Sequence, residues 1–337
     1  MIKNYPPAQI PPPLPEWAAA DPFPPLRTPE ESDLSSMRHA GYWVLAYMTA
    51  ISVSWLNRWV MLACLAVIIA ITYRSLSKDG DSPFRRVHPG SAARAVGIQI
   101  LLVIFVYCAI AAIMGCVIYA AEYRASSVKY VLDRLNKLFA AFDRDAVSFV
   151  NIVIFTPIAE ELFFRGYFLR RFRAMGSGFA IGFTSAVFAS LHMIGVNQIF
   201  ALLSGILWGR LAVRYGSLLP SLAAHIFTNC AAFLILLSQL DMTAVMTGLA
   251  RIYGGSIFLA PLIASGCSLW LFIRMSRRVG AELPSETAIV LEPRKTVRVM
   301  LHWPLSLILF FGIAGLAMAL LLAVSLPVWW AAFVLWR

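Results

Sequence analysis

Only three of the chain's 17 acidic residues fall between residues 146 and 273, and two of those stand side by side. Glu160 and Glu161 sit in the run Ile152-Val-Ile-Phe-Thr-Pro-Ile-Ala-Glu-Glu-Leu-Phe-Phe-Arg-Gly166; the third acid, Asp241, falls in a predicted loop. A carboxylate in so apolar a setting needs either a partner or a task. Adjacent positions on a helix point about 100° apart, whereas Glu161 and Arg165 are four apart, in the order that favours an ion pair on one face. The spacing therefore assigns Arg165 to Glu161 and leaves Glu160 directed at neighbouring helices. Two histidines lie in similar surroundings. His192 closes Phe188-Ala-Ser-Leu-His192. His225 opens His225-Ile-Phe-Thr-Asn229, which puts Asn229 one turn on, on the same face. The remaining histidines, His39, His88 and His302, fall in tails or loops.

These residue types suit hydrolysis of an amide. A carboxylate in an apolar site can serve as general base for water. An Asn side chain is a good oxyanion donor and a poor metal ligand. Glu160, His192 and His225 are equally the ligand types of a two-His, one-carboxylate zinc site with an open position. On the residues alone, a metal-free glutamate mechanism and a zinc metalloprotease both stay open, so the cofactor is none or zinc.

The elements that must position these groups are set by composition. The chain has 337 residues, is 60% apolar and only 13% charged, and has a mean hydropathy of +0.75. A soluble domain of this size has too little interior for that much apolar surface, which excludes a soluble globular enzyme and a disordered chain. Cys64, Cys108, Cys116, Cys230 and Cys267 all lie in apolar runs, which argues against a disulfide framework. The fold class is therefore an all-α, polytopic transmembrane helix bundle of about eight spans, with a range of seven to nine.

Ten of the 19 prolines lie between Pro6 and Pro29, so residues 1–40 read as an extended, solvated cytoplasmic tail. Residues 41–145 hold the first spans and an amphipathic interfacial helix over 122–145. The run 41–73 suits either two helices turning at Asn57-Arg58 or one long tilted helix. Residues 146–238 hold the chemistry, on spans at about 147–169, 178–197, 198–213 and 217–238. Residues 239–337 add spans at about 255–273 and 304–324, a basic loop over 274–302, and an interfacial anchor at 326–336 bearing Trp329, Trp330 and Trp336. At about 1.5 Å per residue, Glu160, His192 and His225 come about 15, 21 and 12 Å from the same membrane side, near enough to share a layer once helices tilt.

Glu160-Glu161-x-x-x-Arg165, Phe188-x-x-x-His192 and His225-x-x-x-Asn229, in that order on successive spans, resemble the motifs of the CPBP family. These are the CAAX-protease and bacteriocin-processing intramembrane proteases, which include the type II CAAX prenyl endopeptidases. The resemblance covers about residues 146–238. It implies an intramembrane endopeptidase in which Glu160 and His192 activate water and His225 and Asn229 form the oxyanion site. Glu161, Arg165 and Phe188 would be supporting residues. The implied partner is a membrane-associated protein or peptide substrate. Two alternatives come from other classes: a catalytically idle membrane partner or immunity protein, and a proton-coupled transporter, since intramembrane Glu and His also form proton relays. No internal repeat supports a transporter. The signatures of other membrane proteases, His-Glu-x-x-His, Gly-x-Ser-Gly and an intramembrane Gly-x-Gly-Asp, do not occur.

The net charge of +11 does not point to nucleic acid, because the basic residues cluster in short stretches between apolar runs. Stretches 74–94, 165–177, 210–216 and 274–302 hold 17 Lys and Arg, whereas the alternating set holds 7. The positive-inside rule then puts the first set in the cytoplasm, of a multi-pass protein of the plasma (inner) membrane whose active site opens to that side. In a Cys-free background, Leu240→Cys is expected to react with a membrane-impermeant thiol reagent in right-side-out vesicles and Ala174→Cys only in inverted ones; labelling of position 174 from outside would reverse the topology.

Overall fold

The computed structural model describes residues 31–54, 57–78, 82–121, 145–192, 195–238 and 259–281, together with 297, 302, 304–310, 312–314 and 317. Among the described residues all regular structure is helical. The predicted interfacial helix over 122–145, the loop around Asp241 and the Trp-bearing terminus lie outside them, apart from Asp145. The protein is an integral membrane helix bundle: the helices over Arg58–Ser77, Pro89–Ala112, Ala146–Phe172 and Leu259–Gly280 are long and apolar enough to cross a bilayer.

Helix α1 spans Glu31–Ser54. It begins two residues after Pro29, earlier than the expected boundary at 40, because no proline follows to interrupt it. Met37, Ala40, Val44 and Tyr47, spaced three and four apart, are its buried face. Helix α2 spans Arg58–Lys78, so the run 41–73 is two helices. Asn57 makes the break: its side-chain oxygen accepts from the Trp59 N–H at 2.8 Å and its carbonyl from the Met61 N–H, an N-cap arrangement.

Helix α3 spans Pro89–Ala121 and packs on α7, Leu219–Ser238, and α8, Leu259–Ala281. Since α8 runs on to Ala281, the first eight residues of the expected loop 274–302 are helical.

Helix α4, Ala146–Phe172, carries the two glutamates. Asp145 caps its start by accepting from the Ser148 N–H, which holds the Asp145 carboxyl below the usual range; Asp145 also pairs with Arg58. The start of α4 is thereby tied to that of α2. The helix is not regular: Val150–Phe155 and Glu161–Phe168 are wound in the wider π register. Helix α5 spans Ser177–Ser190 and α6 spans Gly195–Tyr215. The expected span 178–197 thus ends at Ser190, and His192 lies in the turn that follows. Its ring takes part in the ending: Nδ1 bonds the Phe188 carbonyl at 2.9 Å, which otherwise keeps only the Leu191 N–H at 3.2 Å in place of an i+4 donor.

Phe164, Phe168 and Phe172 repeat every four residues along α4, are fully buried, and meet Phe183 and Phe188 of α5 in edge-to-face, stacked and tilted contacts. Small residues let α6 approach this layer. In Gly205-Ile-Leu-Trp-Gly209, a Cβ on Gly205 would stand 3.0 Å from Ser185 and 3.3 Å from Arg165 Nη2, and one on Gly209 would stand 3.1 Å from Ile181. This small-x-x-x-small spacing allows close helix contact in a membrane.

The basic stretches gather at one end of the bundle. The Leu218 N–H bonds the Pro83 carbonyl and Ser217 Oγ the Arg85 carbonyl, while Arg210 of α6 bonds Ser276 of α8.

Gly205→Val and Gly209→Val are each expected to lower the thermal-unfolding midpoint of the purified protein, at a cost of about 1–3 kcal/mol for overpacking. Gly182→Ala, in the interior of α5 at a position with nothing within 4 Å of the added carbon, should not lower it.

Candidate active site

The sequence-predicted residues of α4, α5 and α7 converge. At their centre is His225, 3% exposed, with its ring between the two glutamates. Nδ1 stands 3.1 Å from Glu161 Oε1 and Nε2 stands 3.4 Å from Glu160 Oε2. When both carboxylates are ionised, each ring nitrogen faces an acceptor, so the geometry is satisfied with hydrogen on both. Arg165 Nη1 lies 3.3 Å from Glu161 Oε1, the pair that the i, i+4 spacing predicts. Glu161 is fully buried and Arg165 is 3% exposed. The division of labour between the glutamates is less complete than their 100° separation suggests, since His225 touches both.

Two aromatic rings hold the charges in place. The Arg165 guanidinium lies over Phe188 at 4.3 Å and over Trp208 at 5.1 Å, and Trp208 stacks on His225 with ring centroids 4.0 Å apart. A desolvated guanidinium over aromatic faces gains about 2 kcal/mol or more. Phe188 also packs against His192, at 4.6 Å, so it joins the two histidines.

His192 lies close enough to Glu160, His225 and Arg165 to interact electrostatically with all three. Since a carbonyl only accepts, the bond to Phe188 puts the ring hydrogen on Nδ1 and leaves Nε2 of the neutral ring as an acceptor.

Asn229 behaves differently from its expected place among the oxyanion donors. Its Nδ2 donates to the Ile152 carbonyl at 2.8 Å. In the π register Ile152 would receive the N–H of residue 157, and residue 157 is proline. Asn229 therefore supplies the donor that Pro157 lacks. One of its two amide hydrogens is used for this and one remains.

Three contributors were not singled out in the sequence. Tyr47 of α1, 5% exposed, donates its hydroxyl to Glu160 Oε1 at 3.3 Å and stacks on Phe163. Trp208 donates Nε1–H to Gln99 Oε1, and Gln99 Nε2 donates to Ser204 Oγ, both at 3.1 Å. Tyr47 and Gln99 are polar groups in apolar runs, and the cost of burying them unpaired is the signal that would have found them.

Residues 143–231 match the family model for type II CAAX prenyl endopeptidase Rce1-like. Over this segment the chain is similar to the CAAX-protease (CPBP) family. It contains Glu160, Glu161, Arg165, Phe188, His192, His225 and Asn229. The family is one of CAAX-type intramembrane endopeptidases, which agrees with the resemblance carried by the three motifs. No curated protein and no solved structure matches the chain. The His225 ring nitrogens are turned to the two carboxylates and His192 Nδ1 to a carbonyl, and among the described residues no three His, Cys, Asp or Glu form a metal-holding group.

Glu161→Gln is expected to destabilise the purified protein strongly, because it leaves Arg165 without its carboxylate; breaking a buried pair costs about 3–5 kcal/mol. The thermal-unfolding midpoint, compared with that of Glu160→Gln, measures it, and equal midpoints would contradict the assignment.

Proposed function

We propose that the protein is an intramembrane endopeptidase that hydrolyses a peptide bond of a membrane-associated protein, with Glu160 as general base. The observation that carries this reading is the convergence, within the family-matched segment, of Glu160 from α4 and His225 from α7, with His192 of the turn after α5 joined to His225 through the Phe188 ring.

Glu160 is suited to the base because it is the less committed carboxylate. Glu161 is fully buried against Arg165 and His225, whereas the Glu160 side chain keeps 14% of its surface and its contacts among the described residues are long, 3.3 Å to Tyr47 and 3.4 Å to His225. A water between Glu160 and His192 Nε2 would have an acceptor for each hydrogen. The water oxygen attacks the peptide carbonyl carbon and its proton passes to Glu160. Neutralised, Glu160 no longer holds the His225 Nε2–H as a carboxylate does, so that donor becomes available to the new oxyanion, with the second amide hydrogen of Asn229 as a further donor. Collapse of the intermediate breaks the C–N bond, and the proton on Glu160 leaves with the amine.

Water and substrate are proposed to arrive from the cytoplasmic, basic end. A cavity of about 10 Å³, lined by Arg165, Gly166, Arg170, Ser217 and Leu218 among others, lies between that end and the cluster, and its size admits about one water. The catalytic core is proposed to be residues 146–238, with 41–145 and 239–337 as flanking spans.

Glu160→Gln is expected to fold and to abolish cleavage, because an amide cannot take a proton from water. Tyr47→Phe keeps the stack on Phe163 but removes the donor to Glu160, and should lower kcat about tenfold with KM and unfolding midpoint unchanged. Turnover of a membrane peptide library by the purified protein, read by mass spectrometry, tests both. Full activity in Glu160→Gln would refute Glu160 as the base, and no turnover by the unsubstituted protein would favour an idle partner.

A further inference from the structure

A second cavity, of about 140 Å³, lies between α6 and α8, away from the glutamates. Its apolar wall is Leu203, Ile206, Phe272 and Ile273, and its polar rim is Arg210, Ser276 and Arg277. Arg210 Nη1 donates to the Ser276 carbonyl and hydroxyl at 3.2 and 3.0 Å, which fixes the guanidinium at the rim. The one other charge among the described residues that acts on Arg210 is Arg277, a like charge. Among the described residues, two cations thus stand at the rim with no carboxylate between them. Arg277 and Ile273 are exposed, so the cavity opens outward, where a membrane protein meets lipid.

Depth fits the same occupant. Arg210 is five residues from the end of α6 at Tyr215 and Arg277 four from the end of α8 at Ala281, about 6–8 Å of helix. The arginines therefore lie near headgroup level and the apolar wall beneath them at acyl-chain level. We propose that this cavity binds an anionic phospholipid, its phosphate on Arg210 and Arg277 and the head of an acyl chain against Leu203, Ile206, Phe272 and Ile273. A guanidinium pair matches phosphate oxygens, and basic pockets between transmembrane helices are a recurrent headgroup site. A zwitterionic lipid brings its own cation to the rim and is disfavoured there.

Native mass spectrometry of the full-length protein in micelles doped with phosphatidylglycerol or phosphatidylcholine tests this. One phosphatidylglycerol per chain should be retained, about fivefold over phosphatidylcholine, the factor expected for one charge at a membrane surface. Arg277→Gln should cut retention by a similar factor, and Ile206→Trp, which fills the wall without altering charge, should cut it too. Arg274→Gln should not, since Arg274 lies over the Trp270 ring and outside the cavity. Equal retention of the two lipids, or equal loss in Arg274→Gln, would assign binding to bulk charge and overturn the proposal. Displacement by millimolar inorganic phosphate at constant ionic strength would mark a free-anion site and overturn it as well.

Discussion

The constraint on which the rest depends is the neutralisation of charge inside an apolar bundle. Glu161 and Arg165 are both almost wholly removed from solvent, and neither can be left alone there without a cost of several kcal/mol. The 3.3 Å pair within α4 meets part of that demand. His225 of α7 meets more of it from one side, and Phe188 of α5 and Trp208 of α6 cover the guanidinium from others. Four helices are thus held in register by one buried ion pair. Gly205 belongs to the same constraint: its missing side chain is where Arg165 Nη2 fits.

A second feature of α4 follows from Pro157. A proline removes a backbone donor wherever it falls in a helix, and here the loss is met by Asn229 from α7 instead of by a kink opened to water. Asn229 and His225 are one turn apart, so the bond that seats α7 on the π-wound part of α4 also brings His225 to the glutamates. Winding of this kind is often found at functional sites. In this chain it brackets Glu160, with one π stretch ending at Phe155 and the next starting at Glu161. Consecutive carboxylates then reach the two nitrogens of one imidazole.

Much of this was legible in the sequence because membrane burial makes polar residues expensive and therefore conspicuous. The helical class, the Glu161–Arg165 pair and the grouping of Glu160 with His192 and His225 all follow from that one cost. Other features were not legible, for identifiable reasons. The turn after Ser190 depends on the His192 ring reaching back to a carbonyl, which hydropathy does not register. The place of Asn229 one turn beyond His225 suggests a site donor; its bond to Ile152 depends on a change of helical register in α4, which the periodicity of its own helix does not register. Residues 31–40 were grouped with the prolines that precede them, although Met37 and Ala40 already belong to the buried face of α1.

The family-matched segment does not close the site by itself. Tyr47, the hydroxyl donor to Glu160, and Gln99, which holds Trp208 against His225, both lie N-terminal to residue 143. Each acts on a different half of the cluster. Tyr47 touches the carboxylate whose contacts are longest, and Gln99 fixes the indole that stacks on the imidazole. The orientation of His225 therefore rests on α3 as well as on α4, and the position of Glu160 rests on α1. A change of packing in the N-terminal helices would move the Glu160 carboxylate and the imidazole independently, since no hydrogen bond among the described residues joins Tyr47 to Gln99. The outer helices are accordingly part of the cluster, and the segment 143–231 supplies its charges but not the whole of its geometry.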